Sequence, residues 1–196
     1  DTRQSVKKLG LSNSDTVYSV EYGSVNVTYF NPTAGAEPTV DVDNGLEGRN
    51  TTLKTVSSTV NTSADQYGLR YTYSTDAAAV DTAALSETED ASAVQYIDAT
   101  TTADEANFSE STFEIEVSKA TLAATDTNKS NVTIYHEGDD DDYEALETDL
   151  LYETAQGYVY EVTTDSYSVF AVGTPAVEDS TGDDGSDDGT DNGDDS

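Results

Sequence analysis

The feature of this sequence that most constrains its fold is the alternation of apolar and polar residues at every second position. The clearest example is the stretch Phe113–Val117, in which three apolar side chains alternate with two glutamates. Successive side chains of a β-strand point to opposite faces, so a strand with one buried face shows this period. A helix would instead repeat its apolar positions every three or four residues. The body of the chain is therefore predicted to consist of strands.

The same alternation predicts further strands along the chain. They fall at residues 24–30, 69–73, 94–97, 132–135, 158–162 and 167–172, with weaker candidates at 39–42 and 53–60. In residues 167–172 apolar side chains occur on both faces, which predicts a strand buried on both sides. Many short strands separated by turns favour an all-β fold, a β-sandwich of mainly antiparallel strands.

Helical segments are predicted to be few and short. Residues 76–90 have the composition for a turn or two of helix, and residues 118–125 for one short helix. Asn44-Gly45 is a turn signal. We therefore expect at most one or two short helices beside the strands.

The alternation stops before the C-terminus. Residues 1–174 are predicted to form the sandwich, and residues 175–196 a disordered acidic spacer, because no apolar residue follows Val177. Such a segment cannot bury enough apolar area to offset its ordering entropy, and its like charges extend it. Its irregular Asp-Gly spacing also lacks the Asp ladder and the closing Glu of a helix-flanked calcium loop.

The charge of the chain limits its partners. It has 40 acidic and 8 basic residues, which gives a formal net charge of -32. Phosphates need cationic partners, so binding to nucleic acid is excluded. This charge also opposes compaction unless salt screens it, and at 1 M ionic strength the Debye length is only about 3 Å. Adaptation to high salt is therefore predicted, with specific binding of several calcium ions as the alternative.

Neither sulfur-containing residue occurs in the chain. The sequence contains no Cys and no Met, so the fold has no disulfide and no thiol chemistry. No apolar run approaches the roughly 20 residues of a membrane span. We therefore expect no direct membrane insertion by this segment.

Six Asn-x-Ser/Thr sequons indicate an exported glycoprotein. They are the candidate glycosylation sites Asn26, Asn50, Asn61, Asn107, Asn128 and Asn131. An acceptor Asn must be exposed on a secreted chain. A composition rich in Thr and Ser also creates sequons by chance, so ordinary turn and strand residues are the alternative. We expect at least one sequon to be used.

Candidates for chemistry are few. His136 is the only histidine; it is expected to be an exposed loop residue that nearby carboxylates keep protonated. A lone His without Cys does not predict a zinc site or a Ser-His-Asp site. The run Asp139, Asp140, Asp141 and Asp142 is expected to be a hydrated hairpin tip, with a weak Ca²⁺ or other cation site as the alternative. No cofactor is expected.

An ordered series of five motifs occupies residues 96–173. They are the strand Phe113–Val117, the helical segment Lys119–Thr125, the strand Val132–Tyr135, the set Tyr143, Leu146 and Thr148, and the closing segment Tyr158–Gly173. The series resembles the PGF-pre-PGF domain family of archaeal, often haloarchaeal, cell-surface proteins. Tyr143 stands where that family usually has Trp, and Tyr167 where it often has Phe. Both changes are conservative for packing.

The resemblance implies an exported domain without catalytic residues. Proteins of this family often carry a polar spacer and then a C-terminal signal that is replaced by a lipid anchor; the acidic tail has the place of the spacer, and anchoring is expected through a signal beyond Ser196. We therefore expect an extracellular, non-catalytic structural or accessory domain of a surface-anchored, halophilic archaeal glycoprotein, and not an enzyme. Its expected partners are other cell-surface proteins or glycans. The alternatives are a binding or adhesion module for carbohydrate or another surface protein, and a hydrolase.

Overall fold

The computed structural model describes residues 5–11, 14–21, 24–42, 50–138 and 142–175. Its strands are β1 (Ser5–Leu11), β2 (Ser14–Glu21), β3 (Ser24–Phe30), β4 (Thr39–Asp41), β5 (Thr51–Val60), β6 (Gln66–Ser74), β7 (Ala91–Thr101), β8 (Phe108–Ser118), β9 (Thr133–Glu137), β10 (Tyr143–Ala145), β11 (Thr148–Glu153), β12 (Gly157–Thr164) and β13 (Val169–Pro175). The helices are α1 (Leu85–Thr88) and α2 (Lys119–Ala124), with 3₁₀ turns at Ala77–Val80, Glu105–Asn107 and Lys129–Asn131. None of the described helices has the length and apolar character needed to cross a membrane.

The strands form two antiparallel sheets. The larger sheet has eight strands in the order β1-β2-β3-β6-β7-β13-β9-β10, and the smaller has five in the order β11-β12-β8-β5-β4. Residues of both sheets contribute to one main hydrophobic core. Since one apolar face of a sheet must be buried against another element, two such faces packed together make a sandwich. The predicted all-β sandwich is confirmed.

The main core follows the predicted alternation of β8. Phe113, Ile115 and Val117 are buried, whereas the glutamates between them are partly exposed on the opposite face. The Phe113 ring meets Phe170 of β13 and Tyr71 of β6 edge-on, with ring centroids 5.2 and 5.7 Å apart. Edge-to-face contact is a favoured geometry for aromatic rings. One side chain of the smaller sheet thus contacts two strands of the larger sheet.

A second, smaller core covers the outer face of the larger sheet. Its buried members are Val80, Leu85, Ala91, Tyr96, Tyr143, Val169 and Ala171. The connection between β6 and β7 supplies the first two, and the Leu85 amide donates to the Tyr96 hydroxyl over 3.0 Å. Because alternate residues of β13 face the two cores, this strand is buried on both sides, as predicted.

Gly173 near the end of β13 has a packing role. A Cβ at this position would lie 2.6 Å from the Tyr135 ring and 3.0 Å from Leu85. Real Cβ atoms do not approach other atoms so closely, so only glycine lets the ring rest on the strand. The glycine that ends the closing motif is therefore explained by close packing.

Both predicted helical regions are present. Helix α2 begins after Ser118, whose hydroxyl accepts a hydrogen bond from the Thr121 amide at 3.0 Å, as an N-cap does. Residues 76–90 contain the 3₁₀ turn at Ala77–Val80 and helix α1. The Asn44-Gly45 turn, Asp139–Asp141 and the tail from residue 176 lie outside the described residues.

Truncation of the central aromatic side chains tests this packing. We expect Phe113→Ala and Phe170→Ala each to lower the free energy of unfolding by about 3–5 kcal/mol, because each leaves a cavity between the sheets. Phe30→Ala is the control. Because Phe30 is partly exposed on β3, this variant should lower the free energy of unfolding much less. Urea unfolding in molar KCl, followed by circular dichroism, measures all three. Equal losses in the three variants would contradict the strand register described above.

Candidate functional site

An open cleft of about 610 Å³ lies at one end of the larger sheet. It is formed where β7 and β9 end and β13 begins, and it is lined by the carboxylates Asp81, Asp98, Glu105 and Glu137. Burial raises the pKa of the Asp98 carboxyl, while the charge of Arg70 acts in the opposite direction. The cleft is therefore an acidic, polar surface.

The cleft carboxylates are not gathered into a metal site. Within the described ranges, no three His, Asp or Glu side chains lie together in a group that could hold a metal ion. Glu137 is held by the Thr82 hydroxyl, which donates to its Oε1 over 2.5 Å. The hydroxyls of Thr82 and Tyr143 lie 2.9 Å apart, and the single proton of Tyr143 can go either to Thr82 or to the carbonyl of Ala83. Glu137 therefore belongs to a hydrogen-bond network that ties the connection between β6 and β7 to the hairpin of β9 and β10.

His136 lies beside the cleft, and the expectation of an exposed, protonated loop residue is wrong. His136 is in strand β9 and half-buried, with its ring centroid 4.9 Å from that of Phe170. Desolvation lowers the pKa of its imidazole below the usual value, although Asp165 and Glu137 act in the opposite direction. The sequence shows the neighbouring carboxylates but not the burial, and here the burial is the larger effect.

The imidazole of His136 is hydrogen-bonded to two serines. Its Nε2 lies 2.8 Å from the Ser168 hydroxyl and 3.3 Å from that of Ser166. The Ser168 hydroxyl lies 2.6 Å from the carbonyl of Glu137, which can only accept, and when its proton goes there Nε2 is the donor toward Ser168. A general base would need the reverse arrangement, with Nε2 accepting the proton of the serine. The geometry fits a histidine that supports the end of the strand.

A cluster of hydroxyl groups extends from the cleft into the main core, and sequence reasoning missed it. The Tyr167 hydroxyl is hydrogen-bonded to Ser111 and lies 3.2 Å from the hydroxyl of Ser58, and the two serine hydroxyls are 2.9 Å apart. Burial raises the pKa of Tyr167. Both serines occupy inward positions in β5 and β8, so the period of two that located the apolar residues could also have located them.

The Tyr71 hydroxyl is buried near this cluster and has no hydrogen-bond partner among the described residues. Burial raises the pKa of Tyr71 well above its usual value, and the nearby hydroxyls of Tyr167 and Tyr29 act in the same direction. An unpaired polar group in a core costs free energy, whereas a paired one contributes to stability. Tyr71 and Tyr167 are thus the same residue type in opposite energetic situations.

The six sequons differ in accessibility. Asn61, Asn128 and Asn131 are exposed, whereas Asn26, Asn50 and Asn107 are partly buried. The Asn50 amide donates to the carbonyl of Val94 over 2.7 Å, and its Oδ1 lies 3.3 Å from the Thr121 hydroxyl. This side chain connects the start of β5 to β7 and α2. Its amide nitrogen is therefore already engaged within the fold.

The predicted aspartate run lies in the hairpin between β9 and β10. The Gly138 amide donates to the carbonyl of Asp142 over 2.8 Å, and Asp142 is exposed. Asp139, Asp140 and Asp141 lie outside the described residues. The hydrated hairpin tip and cation binding by this run therefore both stay predictions.

Comparison of the chain with protein-family models, curated proteins and solved structures yields no match. The resemblance of residues 96–173 to the PGF-pre-PGF family therefore stays a prediction. The strands and the helix that carry its five motifs are present as β8, α2 and β9 to β13.

Removing one hydroxyl at a time tests the buried cluster. We expect Tyr71→Phe to raise the free energy of unfolding by up to about 1 kcal/mol, because an unpaired buried hydroxyl is removed. Tyr167→Phe should lower it by roughly 1–2 kcal/mol, because two serine hydroxyls lose a partner. The two variants make the same chemical change and control for each other in urea unfolding. A loss of stability in Tyr71→Phe would show that its hydroxyl is hydrogen-bonded in solution.

Proposed function

We propose that this chain is a non-catalytic structural or accessory domain of a secreted, surface-anchored, halophilic archaeal glycoprotein. The observation that carries the proposal is a layer of carboxylates on the outer face of the smaller sheet, whose inner face is apolar. Such a domain presents a hydrated, anionic surface to its surroundings while its core supplies the stability.

The outer face of the smaller sheet shows this layer. Glu114 and Glu116 of β8 and Glu161 of β12 occupy positions that alternate with core residues. Among the side chains that the structure describes, three ion pairs occur, and they involve only two carboxylates, Glu116 and Glu153. Most acidic groups therefore face water or cations rather than a basic partner, which supports a protein adapted to salt.

The arrangement at His136 supports a role without catalysis. The Ser168 proton is directed to a backbone carbonyl, and the imidazole packs on the ring of Phe170. Both contacts hold the end of β9 against the start of β13 at the edge of the cleft, which is a structural role. A hydrolase would need an acid and a base that converge on a substrate, with pKa values moved apart.

The exposed sequons and the motif series support placement at the cell surface. Asn61, Asn128 and Asn131 are accessible to a glycosyltransferase after folding as well as before it. The series in residues 96–173 resembles domains of archaeal surface proteins, and anchoring beyond Ser196 rests on that resemblance.

A second candidate is a binding or adhesion module. The observation that favours it is an exposed apolar stretch, Leu150, Leu151 and Tyr152, on one edge of the smaller sheet. Exposed apolar residues that are contiguous mark contact surfaces more often than isolated ones do. This candidate is compatible with a structural role in a surface layer.

Salt dependence tests the carboxylate layer. We expect the midpoint of thermal unfolding to rise strongly between low salt and molar KCl, because screening removes repulsion among the acidic groups. A variant with Glu114→Gln, Glu161→Gln and Asp149→Asn should show a smaller rise, since it carries three fewer charges. Circular dichroism at several KCl concentrations gives the slope. A midpoint that stays flat across this range would contradict salt adaptation.

Glycosylation and surface exposure can be measured together. We expect expression of the full-length gene in a haloarchaeal host to give glycopeptides containing Asn61, Asn128 or Asn131, which are exposed, and none containing Asn50, because the Asn50 amide is partly buried and donates to the carbonyl of Val94. Mass spectrometry of peptides released by protease from intact cells reads out both properties. Asn61→Gln is a control that should remove one glycopeptide without changing release of the domain. Release only after cell lysis would contradict placement at the surface.

A further inference from the structure

Strand β11 forms one edge of the smaller sheet and carries an unusual set of side chains. Leu150, Leu151 and Tyr152 are 40%, 41% and 48% exposed, and they are the exposed large hydrophobic residues among those whose side chains the structure describes, from residue 24 onward. The pairing of β11 with β12 shifts register between Leu150 and Tyr152. The extra residue, Leu151, adds an apolar side chain at this bulge.

Such an edge invites pairing with another strand. An edge strand presents unpaired backbone N–H and C=O groups, and soluble proteins usually protect it with charges, with proline or by keeping it short. Here the centre of the strand is apolar, and the charges stand at its two ends. We call the surface formed by residues 147–153 with Lys119 and Lys129 the β11 edge.

One end of the β11 edge is basic. Lys119 and Lys129 place their Nζ atoms 2.6 and 3.9 Å from the two carboxylate oxygens of Glu153. Both ammonium groups also lie over the ring of Tyr158, at 5.4 and 5.0 Å from its centroid. Two positive charges and one negative charge leave this end with a net charge of about +1, which is uncommon in so acidic a chain.

The opposite end of the β11 edge is acidic. Glu147, Asp149 and Glu161 line a shallow depression there, together with Thr163. No lysine or arginine lines this depression within the described part of the chain. The strand therefore carries positive charge at one end, apolar residues in the middle and negative charge at the other end.

We propose that the β11 edge binds the β11 edge of a second copy of this chain, with the two strands antiparallel. A two-fold axis perpendicular to the sheet reverses the strand, so the basic end of each copy meets the acidic end of the other, and the match occurs twice. The pairing joins two five-stranded sheets into one continuous sheet and covers the apolar residues of both copies.

The register of this pairing follows from the symmetry. A two-fold axis through an antiparallel pair places one residue opposite its own copy. With Leu151 on the axis, Leu150 lies opposite Tyr152 of the second copy, and Asp149 lies opposite Glu153. The two lysines beside Glu153 more than balance its charge, so Asp149 meets an end that is net positive.

The second copy fits this edge better than an unrelated partner because the pattern is complementary to itself. The overall charge of -32 makes two copies repel each other at low salt. In molar salt the Debye length is about 3 Å, so repulsion between the copies at long range vanishes, whereas the apolar contact and the charge pairs that the interface shields from water are weakened much less. The association should therefore strengthen as KCl is added.

Sedimentation of the full chain in molar KCl tests the proposal. We expect a monomer–dimer equilibrium that shifts toward the dimer with protein concentration and with KCl. Replacing Leu150, Leu151 and Tyr152 together by Thr should give a monomer, since Thr keeps the strand propensity but removes the apolar contact. Phe30→Ala is the control: Phe30 lies in β3 of the larger sheet, so this variant should leave the monomer–dimer equilibrium unchanged. A wild-type chain that stays monomeric at all KCl concentrations would overturn the proposal.

A charge exchange identifies the partner surface. Lys129→Glu and Asp149→Lys should each weaken self-association roughly tenfold, because each change places like charges together at two symmetric positions. An equimolar mixture of the two variants should restore the dimer, because the carboxylate introduced at position 129 then faces the ammonium introduced at position 149 of the other copy, while the two unaltered ends keep their original contact. Circular dichroism confirms that each variant is folded. If the mixture associates no more tightly than either variant alone, the copies associate through another surface. Dimerisation of the triple Thr variant would show the same.

Discussion

Each strand of this protein must keep its carboxylates in water while it buries its apolar side chains against the other sheet, and the rest of the structure depends on this separation. The contact of Phe113 with Tyr71 and Phe170 is its centre, because it joins the smaller sheet to two strands of the larger one. A carboxylate cannot enter such a core without a partner, and this chain has few basic residues to provide one. The alternation of apolar and acidic residues therefore predicts the strands. It also allows so acidic a chain to fold, because it keeps the carboxylates out of the core.

Much of the fold could be predicted because the period of two is a local property. The strand at Phe113–Val117, the burial of β13 on both sides and the two short helical regions were all visible in the pattern. The pairing order of the sheets was not visible, because it depends on contacts between distant residues. The second core was missed for the same reason: residues 76–90 show short helical pieces, and nothing local says that they cover a sheet.

The candidate site was less predictable, because its chemistry depends on burial. His136 has acidic neighbours in sequence, yet desolvation against Phe170 determines the direction of its pKa. Ser58 and Ser111 meet only when β5 and β8 pair, so their shared hydrogen bonds with Tyr167 could not be read from either strand alone. The exposed stretch at Leu150 has ordinary strand composition, and only its place at a sheet edge makes it distinctive.

The position of β13 also affects the order in which the chain can fold. This strand is the last one described along the chain, yet it lies inside the larger sheet, between β7 and β9. While the chain emerges N-terminus first, β1, β2, β3, β6 and β7 can pair in succession, but β9 and β10 cannot join that sheet until β13 is available. The second core and the part of the main core that β13 supplies then close late, between strands that are distant in sequence, which favours slow folding. The hairpin of β9 and β10 therefore stays apart from the other strands of the larger sheet until nearly all the described residues have been synthesised.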